Sequence, residues 1–291
     1  MTIRHLRIFL TVCKERNLTA AARALYISQP AVSLAVKELE RCYGVRLLER
    51  CPHRLSLTDA GKSLYRYALH IVSLFDEMED SMKKQSACGS LRIGCSLSIG
   101  SSLLPGYLHQ YSALFPDVRP HVIINSSDIL ERMILSNDLD LALIEGMVHS
   151  DDILSEPFGE DELIPVCHPR HTFLKQSPVP LSALEPEYFL MREKNSGTRE
   201  IVESTLLIHN FIPRTLWEST SADAIVNGVA EGIGISILPG TLVREALASG
   251  RIARFEIEDV ILKRQLRVIR HRSKYLTALA EGFLSLLFVN R

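Results

Sequence analysis

Toward the N-terminus of this chain apolar positions recur at helical spacing, while beyond Ser90 they gather into short runs of strand length. The densest local signal lies in Leu18–Glu40. Thr19 is placed to cap a helix, its hydroxyl accepting from an orphan backbone N–H, with Leu18 before it as a hydrophobic staple. Ala20, Ala21, Ala22 and Ala24 then form helix and leave room for a neighbour to approach closely; Leu25 closes the apolar face. Tyr26 and Ile27 make the turn. Ser28 is a second cap, and Pro30 is tolerated in the next first turn because its missing N–H has no intrahelical partner there.

In this second helix Val32, Ala35, Val36 and Leu39 face inward by their spacing, leaving Gln29, Ser33, Lys37 and Glu40 on the opposite stripe. A polar, short-chained start suits a helix that reaches base edges in a major groove while longer basic side chains meet phosphates. Gln29 fits an adenine edge, Ser33 a base or phosphate, and Lys37 a phosphate. An ordinary αα corner with a solvated face shows the same local pattern. Gly44 is a helix stop. After it Val45–Arg50 and Arg54–Leu57, around Cys51-Pro52-His53, form two short runs of a hairpin wing, with Arg50 and Arg54 placed to touch backbone or minor groove.

From Thr58 the helical period returns. Ala60, Leu64, Tyr67 or Ala68, Ile71, Leu74 or Phe75, Met78 and Met82 mark one stripe, which predicts a helix of about 25 residues and about 38 Å. Such a stripe is too long to be buried on a small N-terminal domain, so it predicts pairing with a second subunit; lying along the chain's own second domain is the alternative. A composition shift at Gln85–Ser90 marks a hinge. Further on, Leu91–Cys95, His121–Asn125, Leu139–Ile144, Leu163–Cys167, Tyr188–Arg192, Thr215–Glu218, Gly234–Leu238 and Leu266–Arg270 read as strands alternating with helices, an α/β organisation with mostly parallel sheets.

Charge changes the picture at one end only. Residues 1–60 carry ten basic against five acidic side chains, a balance of +5, whereas the whole chain is −1 and the remainder therefore −6. That asymmetry predicts a polyanion partner for the N-terminal segment. At 291 residues and 46% hydrophobic content the chain is long and apolar enough for two or three separate cores. Charged and polar residues interrupt the first seven positions, leaving no apolar signal-peptide core, and no run of about 18 apolar residues occurs, so a soluble, cytoplasmic protein is expected.

Ligands of open α/β sheets lie outside the carboxyl ends of strands, beside helix N-termini whose free N–H groups favour anions. Ser96, Ser98 and Ile99 follow the first strand, Ser126 and Ser127 the second, and Asn195-Ser196-Gly197-Thr198 a later one. Hydroxyls at opposed helix starts suit a small oxyanion or carboxylate; plain N-capping is the alternative for each alone. Six cysteines show no CxxC pair, which favours reduced thiols, with a redox role for Cys95 beside the expected cleft as a second reading. Cys167-His168-Pro169-Arg170-His171 has the residue types of a metal site but no partner cluster to complete a tetrahedron. Gly94-Cys95-Ser96-Leu97-Ser98 fails the nucleophile elbow at its last position, Gly232-Ile233-Gly234 lacks the third glycine of a dinucleotide fingerprint, and no P-loop or HExxH occurs. An enzyme is not expected; a pure solute receptor is the competing class.

The run Leu18-Thr19-Ala20-Ala21-Ala22, Leu25, Ser28-Gln29-Pro30-Ala31-Val32-Ser33 and Leu39-Glu40, followed by Gly44-Val45-Arg46-Leu47-Leu48-Glu49-Arg50 and Leu57-Thr58-Asp59-Ala60-Gly61, resembles the N-terminal domain of LysR-type transcriptional regulators. Leu91-Arg92-Ile93-Gly94, Leu104-Pro105, Phe115-Pro116, Leu139-Asp140-Leu141-Ala142-Leu143 and Gly232-Ile233-Gly234-Ile235 with Leu238-Pro239 are similar to that family's effector domain, so the resemblance spans essentially the full chain. Leu34 departs from the family, many of whose members carry a long polar or basic residue there, and Leu48 stands where Phe is usual.

The resemblance implies an α+β multidomain protein: a winged helix-turn-helix in 1–58, a linker and dimerisation helix in 59–87, and a periplasmic-binding-protein-like α/β effector domain in 88–291. The last divides into subdomain I (88–160 and 264–291) and subdomain II (161–263), with ligand between them. Implied DNA contacts are Thr19, Ser28, Gln29, Pro30, Ser33, Lys37, Arg50 and Arg54. Ser96, Ser98, Ser196 and Thr198 match the family's effector positions, and Ile99, Ser126, Ser127 and Glu145 complete the candidate set. The implied partners are promoter DNA, further copies of the chain as a dimer and a dimer of dimers, RNA polymerase, and a small anionic or carboxylate effector. No metal, cofactor or membrane is implied.

Overall fold

A computed structural model of the chain describes residues 1–51, 54–83 and 90–288, and the chain divides into two compact units, Met1–Gly89 and Ser90–Arg291. The N-terminal unit is built on α1 (Ile3–Glu15), α2 (Leu18–Ala24) and α3 (Gln29–Tyr43), then strands β1 (Leu48–Cys51) and β2 (Arg54–Leu57) and the long α4 (Asp59–Lys83). Ala21 and Ala22 are buried between α1 and α3, packed with Ile8, Val12, Val32, Ala35 and Val36, which is the close approach their small side chains allow.

The cap of α2 is not Thr19. Asn17 holds that place, its side-chain oxygen accepting from the N–H groups of Thr19 at 2.8 Å and Ala20 at 3.1 Å, so the helix starts at Leu18 and Thr19 lies exposed in its first turn. Ser28 caps α3 as expected, accepting from Ala31 N–H, and Gly44 ends it at φ +69°. Tyr26 forms the turn in the left-handed region (φ 55°).

Glu40 departs from the outward stripe. Its carboxylate accepts from the backbone N–H of Leu47 at 2.9 Å and Leu48 at 3.4 Å, tying the C-terminal part of α3 to the start of the wing. β1 and β2 pair antiparallel with Leu48 opposite Leu57 and Cys51 opposite Arg54. Thr58 then caps α4: its hydroxyl donates to Arg46 O (2.6 Å) and accepts from Gly61 N–H (3.0 Å). A Cβ on Gly61 would stand 2.1 Å from Leu47 O, so only glycine lets α4 start this close to the wing.

Along α4 the sequence stripe resolves into two. Ala60, Leu64, Ala68 and Val72 pack on the cluster of Leu6, Phe9, Leu39 and Leu47, while Tyr67, Ile71, Leu74 and Met78 form an exposed row at 4-3-4 spacing. Met82's side chain, the last of the sequence stripe, lies outside the described residues.

In the C-terminal unit β3 (Arg92–Cys95) lies between β4 (His121–Ile124) and β5 (Leu141–Glu145), parallel to both, and β7 (Tyr188–Arg192) pairs parallel with β8 (Arg214–Ser219). The pairing is nevertheless mixed rather than mostly parallel. β6 (Ile153–Cys167) and β11 (Lys263–His271) are antiparallel to each other; β6 also takes β9 (Ser236–Pro239) and β10 (Ala253–Arg254) antiparallel, and β11 takes β5. The N-terminal part of β6 carries Glu, Pro, Gly and Asp in place of an alternating pattern, and it pairs irregularly, with a register shift opposite Leu266/Arg267.

Two lobes with separate cores flank these strands. In the first, Leu141 and Leu143 of β5 face the cluster of α5 (Leu97–Ser102), α6 (Leu104–Leu114) and α11 (Ala278–Phe288), while Ala142 and Ile144 face α7 (Ser127–Leu135). In the second, Phe189 and Met191 of β7 face α8 (Gly197–Ile208), while Leu190 faces α9 (Ala222–Ala230) and α10 (Gly240–Ala248). Strands covered on both faces explain the near-continuous apolar runs.

Gly61→Ala is expected to destabilise the N-terminal unit by about 1–3 kcal/mol, the usual range for forced overpacking. The single tryptophan, Trp217, lies in the other unit, so the loss should appear in helical circular dichroism during urea unfolding and leave the fluorescence midpoint in place.

Candidate functional site

Two surfaces carry the candidate chemistry, one in each unit. On α3 the first turn presents Ser28, Gln29 and Pro30, with Lys37 two turns on, all exposed, and Ser33 half-buried between them. Thr19 on α2 is exposed as well. Leu34 breaks this polar face with 57% of its surface in solvent. Arg50 and Arg54 stand on the paired wing strands, opposite Leu55 and Cys51 respectively, and their side chains lie outside the described residues, as do Pro52, His53 and Cys88.

In the C-terminal unit the hydroxyls nominated from sequence converge on one carboxylate. Glu145, the last residue of β5, is 3% exposed. Ser96 donates to its Oε2 in a short bond, and Oε1 accepts from Ser98 at 3.0 Å and Thr198 at 3.4 Å. Ser127 donates to the Glu145 backbone oxygen at 3.2 Å. Ser196, buried, occupies the N-cap position of α8 without a side-chain capping bond, one residue before Gly197, where a Cβ would stand 2.4 Å from the Glu145 carbonyl oxygen. Gly146 (φ +97°) and Gly197 thus bring the start of α8 directly against the end of β5.

Two expected members stand apart. Ile99 is fully buried in the hydrophobic cluster with Leu91, Ile93 and Cys95, because its position in α5 turns the side chain into the core. Ser126 occupies the N-cap position of α7, half-buried, with no side-chain capping bond and, among the described residues, no hydrogen bond to the carboxylate.

Sequence reasoning missed the cation at the centre. Arg264 on β11, 3% exposed, donates from Nη1 to Ser98 Oγ (3.0 Å) and Thr198 Oγ1 (2.9 Å) and lies 3.4 Å from Glu145 Oε1. Its Nε and Nη2 both donate to Asp161 Oδ2, at 3.1 and 2.7 Å, and Thr241 donates to the same oxygen at 3.1 Å. Arg264 and Asp161 are direct cross-strand partners on β11 and β6, and Glu145 sits opposite Leu266, two residues along on the same face. The available signal was phase: Arg264 alternates with the buried Leu266 and Val268, a charge on the inward side of a strand.

Polarity in this cluster runs one way. Both Nη1 protons go to hydroxyl oxygens, and each hydroxyl passes its own proton to Glu145. The arrangement can hold an acceptor with negative charge where the Glu145 carboxylate lies.

Cys95 next to the cluster is fully buried, and burial first, with the nearby Glu145 charge second, pushes its thiol well above the ordinary cysteine range, which disfavours the thiolate that redox sensing needs. Cys167 is likewise raised to about 12, chiefly by burial. In the following loop His168 Nδ1 accepts from Arg170 N–H and His171 Nδ1 from Phe173 N–H, so these ring nitrogens serve the local backbone turns. Among the described residues no group of three or more His, Cys, Asp or Glu side chains is arranged for a metal, and no helix is long and apolar enough to cross a membrane.

At the rim His149 bridges two acids from different lobes, Glu131 of α7 (Nδ1, 3.2 Å) and Glu200 of α8 (Nε2, 3.8 Å). The hydrogen bond to Glu131 leads; desolvation opposes it, and the charges of Glu131, Glu200 and Asp128 add to the hydrogen bond, so that the imidazole is raised above its ordinary pKa.

Comparison with known proteins places both surfaces in a common frame. The family model for bacterial regulatory helix-turn-helix proteins of the lysR family matches residues 3–62, and the model for the LysR substrate binding domain matches residues 84–288. The chain is 31% identical to the HTH-type transcriptional regulator CysL of Bacillus subtilis over 98% of this chain and 96% of that protein. It is 34% identical to the HTH-type transcriptional regulator YeiE of Escherichia coli, with coverages of 98% and 96%. A full-length OxyR structure from Pseudomonas aeruginosa shares the fold at a TM-score of 0.70 and 22% identity, covering 99% of this chain and 98% of that one. The CcmR regulatory domain of Synechocystis, solved in complex with 2-PG, matches at a TM-score of 0.65 and 25% identity over 69% of this chain and 96% of that one.

Arg264→Ala is expected to cost about 3–5 kcal/mol, because it strands Asp161 and Glu145 as buried charges; a denaturant midpoint by Trp217 fluorescence reads it directly. The His149 contacts predict a pH dependence of definite sign. A raised folded pKa contributes stability that is complete below the ordinary histidine value of about 6.5 and disappears as pH rises through the folded value. His149→Gln should therefore lower the melting temperature more at about pH 5.5 than at about pH 8.5; an equal or reversed gap would rule the contribution out.

Proposed function

The chain belongs to the lysR family of bacterial regulatory helix-turn-helix proteins, and from that premise we propose how its two candidate surfaces divide the work of a ligand-responsive transcription regulator. It is a DNA-binding regulator with an effector-binding domain, not an enzyme. In this reading residues 1–58 form the DNA reader, 59–87 the linker helix, and 88–291 the regulatory domain, whose subdomains (88–160 with 264–291, and 161–263) enclose the effector. The linker boundary at 87/88 falls outside the described residues.

The effector is a small anion or carboxylate. The observation that carries this is the cradle itself: Ser96, Ser98, Thr198 and Arg264, contributed by both lobes, surround a carboxylate with donors only. The CcmR regulatory domain, which shares this fold, was solved in complex with the small ligand 2-PG. The row Tyr67, Ile71, Leu74 and Met78 has the spacing of a coiled-coil seam and pairs two copies through α4. A dimer of dimers, working in the cytoplasm on double-stranded promoter DNA with RNA polymerase, completes the reading. Effector in the cradle changes the relation of the lobes and, through the oligomer, the spacing of paired readers.

On DNA, Gln29 reads a base edge and Lys37 a phosphate, with Thr19, Ser28, Pro30, Ser33, Arg50 and Arg54 completing the contact surface. Leu34, where many relatives carry a phosphate-reaching side chain, instead offers an apolar surface to a thymine methyl. Gln29→Ala should relax sequence preference by about 1–3 kcal/mol at one base pair, while Lys37→Ala should weaken every site alike and reduce the salt slope by about 1. Ser98→Ala should leave DNA affinity in place and blunt the response to effector. Quantitative mobility shifts at several salt concentrations, with and without a panel of small carboxylates, measure all three; loss of DNA binding in Ser98→Ala would contradict the division of roles.

A further inference from the structure

We propose that Glu145 is a tethered occupant of the regulatory cradle, a built-in anion that a small anionic effector must displace in order to bind. The inference rests on the cradle being the effector site and adds what governs its occupancy.

Charge is the first argument. The buried cluster holds one guanidinium, Arg264, and two carboxylates, Glu145 and Asp161. A further anion among them would set three negative charges against one positive in a region closed to water, which no hydroxyl arrangement offsets. An incoming anion therefore exchanges with one of the two carboxylates.

Geometry selects which one. Asp161 is fixed by two bonds from Arg264 (3.1 and 2.7 Å) and one from Thr241 (3.1 Å), as the cross-strand partner of Arg264 in an antiparallel ladder. Glu145 stands at a strand end, before Gly146 in the left-handed region, and its nearest approach to Arg264 is 3.4 Å. Its other partners are the hydroxyls of Ser96, Ser98 and Thr198, groups that rotate and accept any anion in the same place. Glu145 is thus the exchangeable carboxylate.

The consequence is a threshold. A ligand for a cradle that is free only a fraction of the time binds with its intrinsic Kd divided by that fraction, so nine-tenths occupancy by Glu145 weakens an external anion about ten-fold. Acetate is the free counterpart of the Glu145 side-chain carboxylate, and acetamide is its uncharged analogue of similar shape. In Glu145→Ala the full-length protein should bind acetate at least about ten-fold more tightly than the wild type, read as a saturable rise in melting temperature, while acetamide has no effect. Adding Ser98→Ala to that variant should abolish the gain, which places the acetate in the cradle. Glu145→Gln, which keeps the side-chain volume, tests the same point should the alanine variant fold poorly: it should bind acetate more tightly than the wild type. Saturable acetate binding that Ser98→Ala removes but neither Glu145 substitution strengthens would overturn the competition and leave the cradle as the effector site. No saturable acetate binding in any of these proteins would overturn both.

Discussion

A single buried cation sets the terms for the C-terminal unit. Removing a guanidinium from water is costly unless its donors find acceptors, and Arg264 directs four of its five N–H groups to acceptors from different parts of the chain. Asp161 opposes it across the β6–β11 ladder, Ser98 comes from α5 in the first lobe, and Thr198 from α8 in the second. The two strands that connect the lobes and the two helices that face across the cleft are therefore tied to one side chain. An arrangement in which Thr198 withdrew would leave one Nη1 proton without its acceptor, so hydrogen-bond accounting favours the relation of the lobes that the cluster has here.

What sequence could and could not disclose follows from the range of the interactions. The reading helix was readable in detail because its determinants are local: inward Val32, Ala35, Val36 and Leu39, the Ser28 cap and the Gly44 stop all act within a turn or two. Where local rules compete, the pattern misleads. Thr19 is a good cap residue, but Asn17, two places earlier, accepts from the N–H groups of Thr19 and Ala20 and starts the helix before it. Glu40 has the phase of an outward position yet bends to the wing, whose unpaired N–H groups lie seven and eight residues on.

The cleft shows the same divide. Hydroxyls at strand ends and helix starts are visible as a type, so Ser96, Ser98 and Thr198 were found, whereas Ile99 shared the address but not the facing. Arg264 and Asp161 were not found, because their encounter depends on a register between strands 103 residues apart, and in one dimension Arg264 is only one of several charges near the start of β11. The first half of β6 was lost for a related reason: its Pro, Gly and acidic positions satisfy no alternation and are held in strand form by β11.

The direction of the protons in the cluster constrains the group at its centre more tightly than composition does. Serine and threonine hydroxyls can donate or accept, so the three around the Glu145 carboxylate would by themselves admit groups of either polarity. Arg264 removes that freedom. Its Nη1 protons occupy the acceptor side of Ser98 and Thr198 and turn their own protons toward the position of Glu145. A donor group placed there would face two O–H donors and a guanidinium 3.4 Å from the present carboxylate oxygen. The hydroxyls transmit the charge of Arg264 as hydrogen-bond polarity, and it is this relay rather than the number of polar groups that holds an acceptor, the Glu145 carboxylate, at the centre of the cluster.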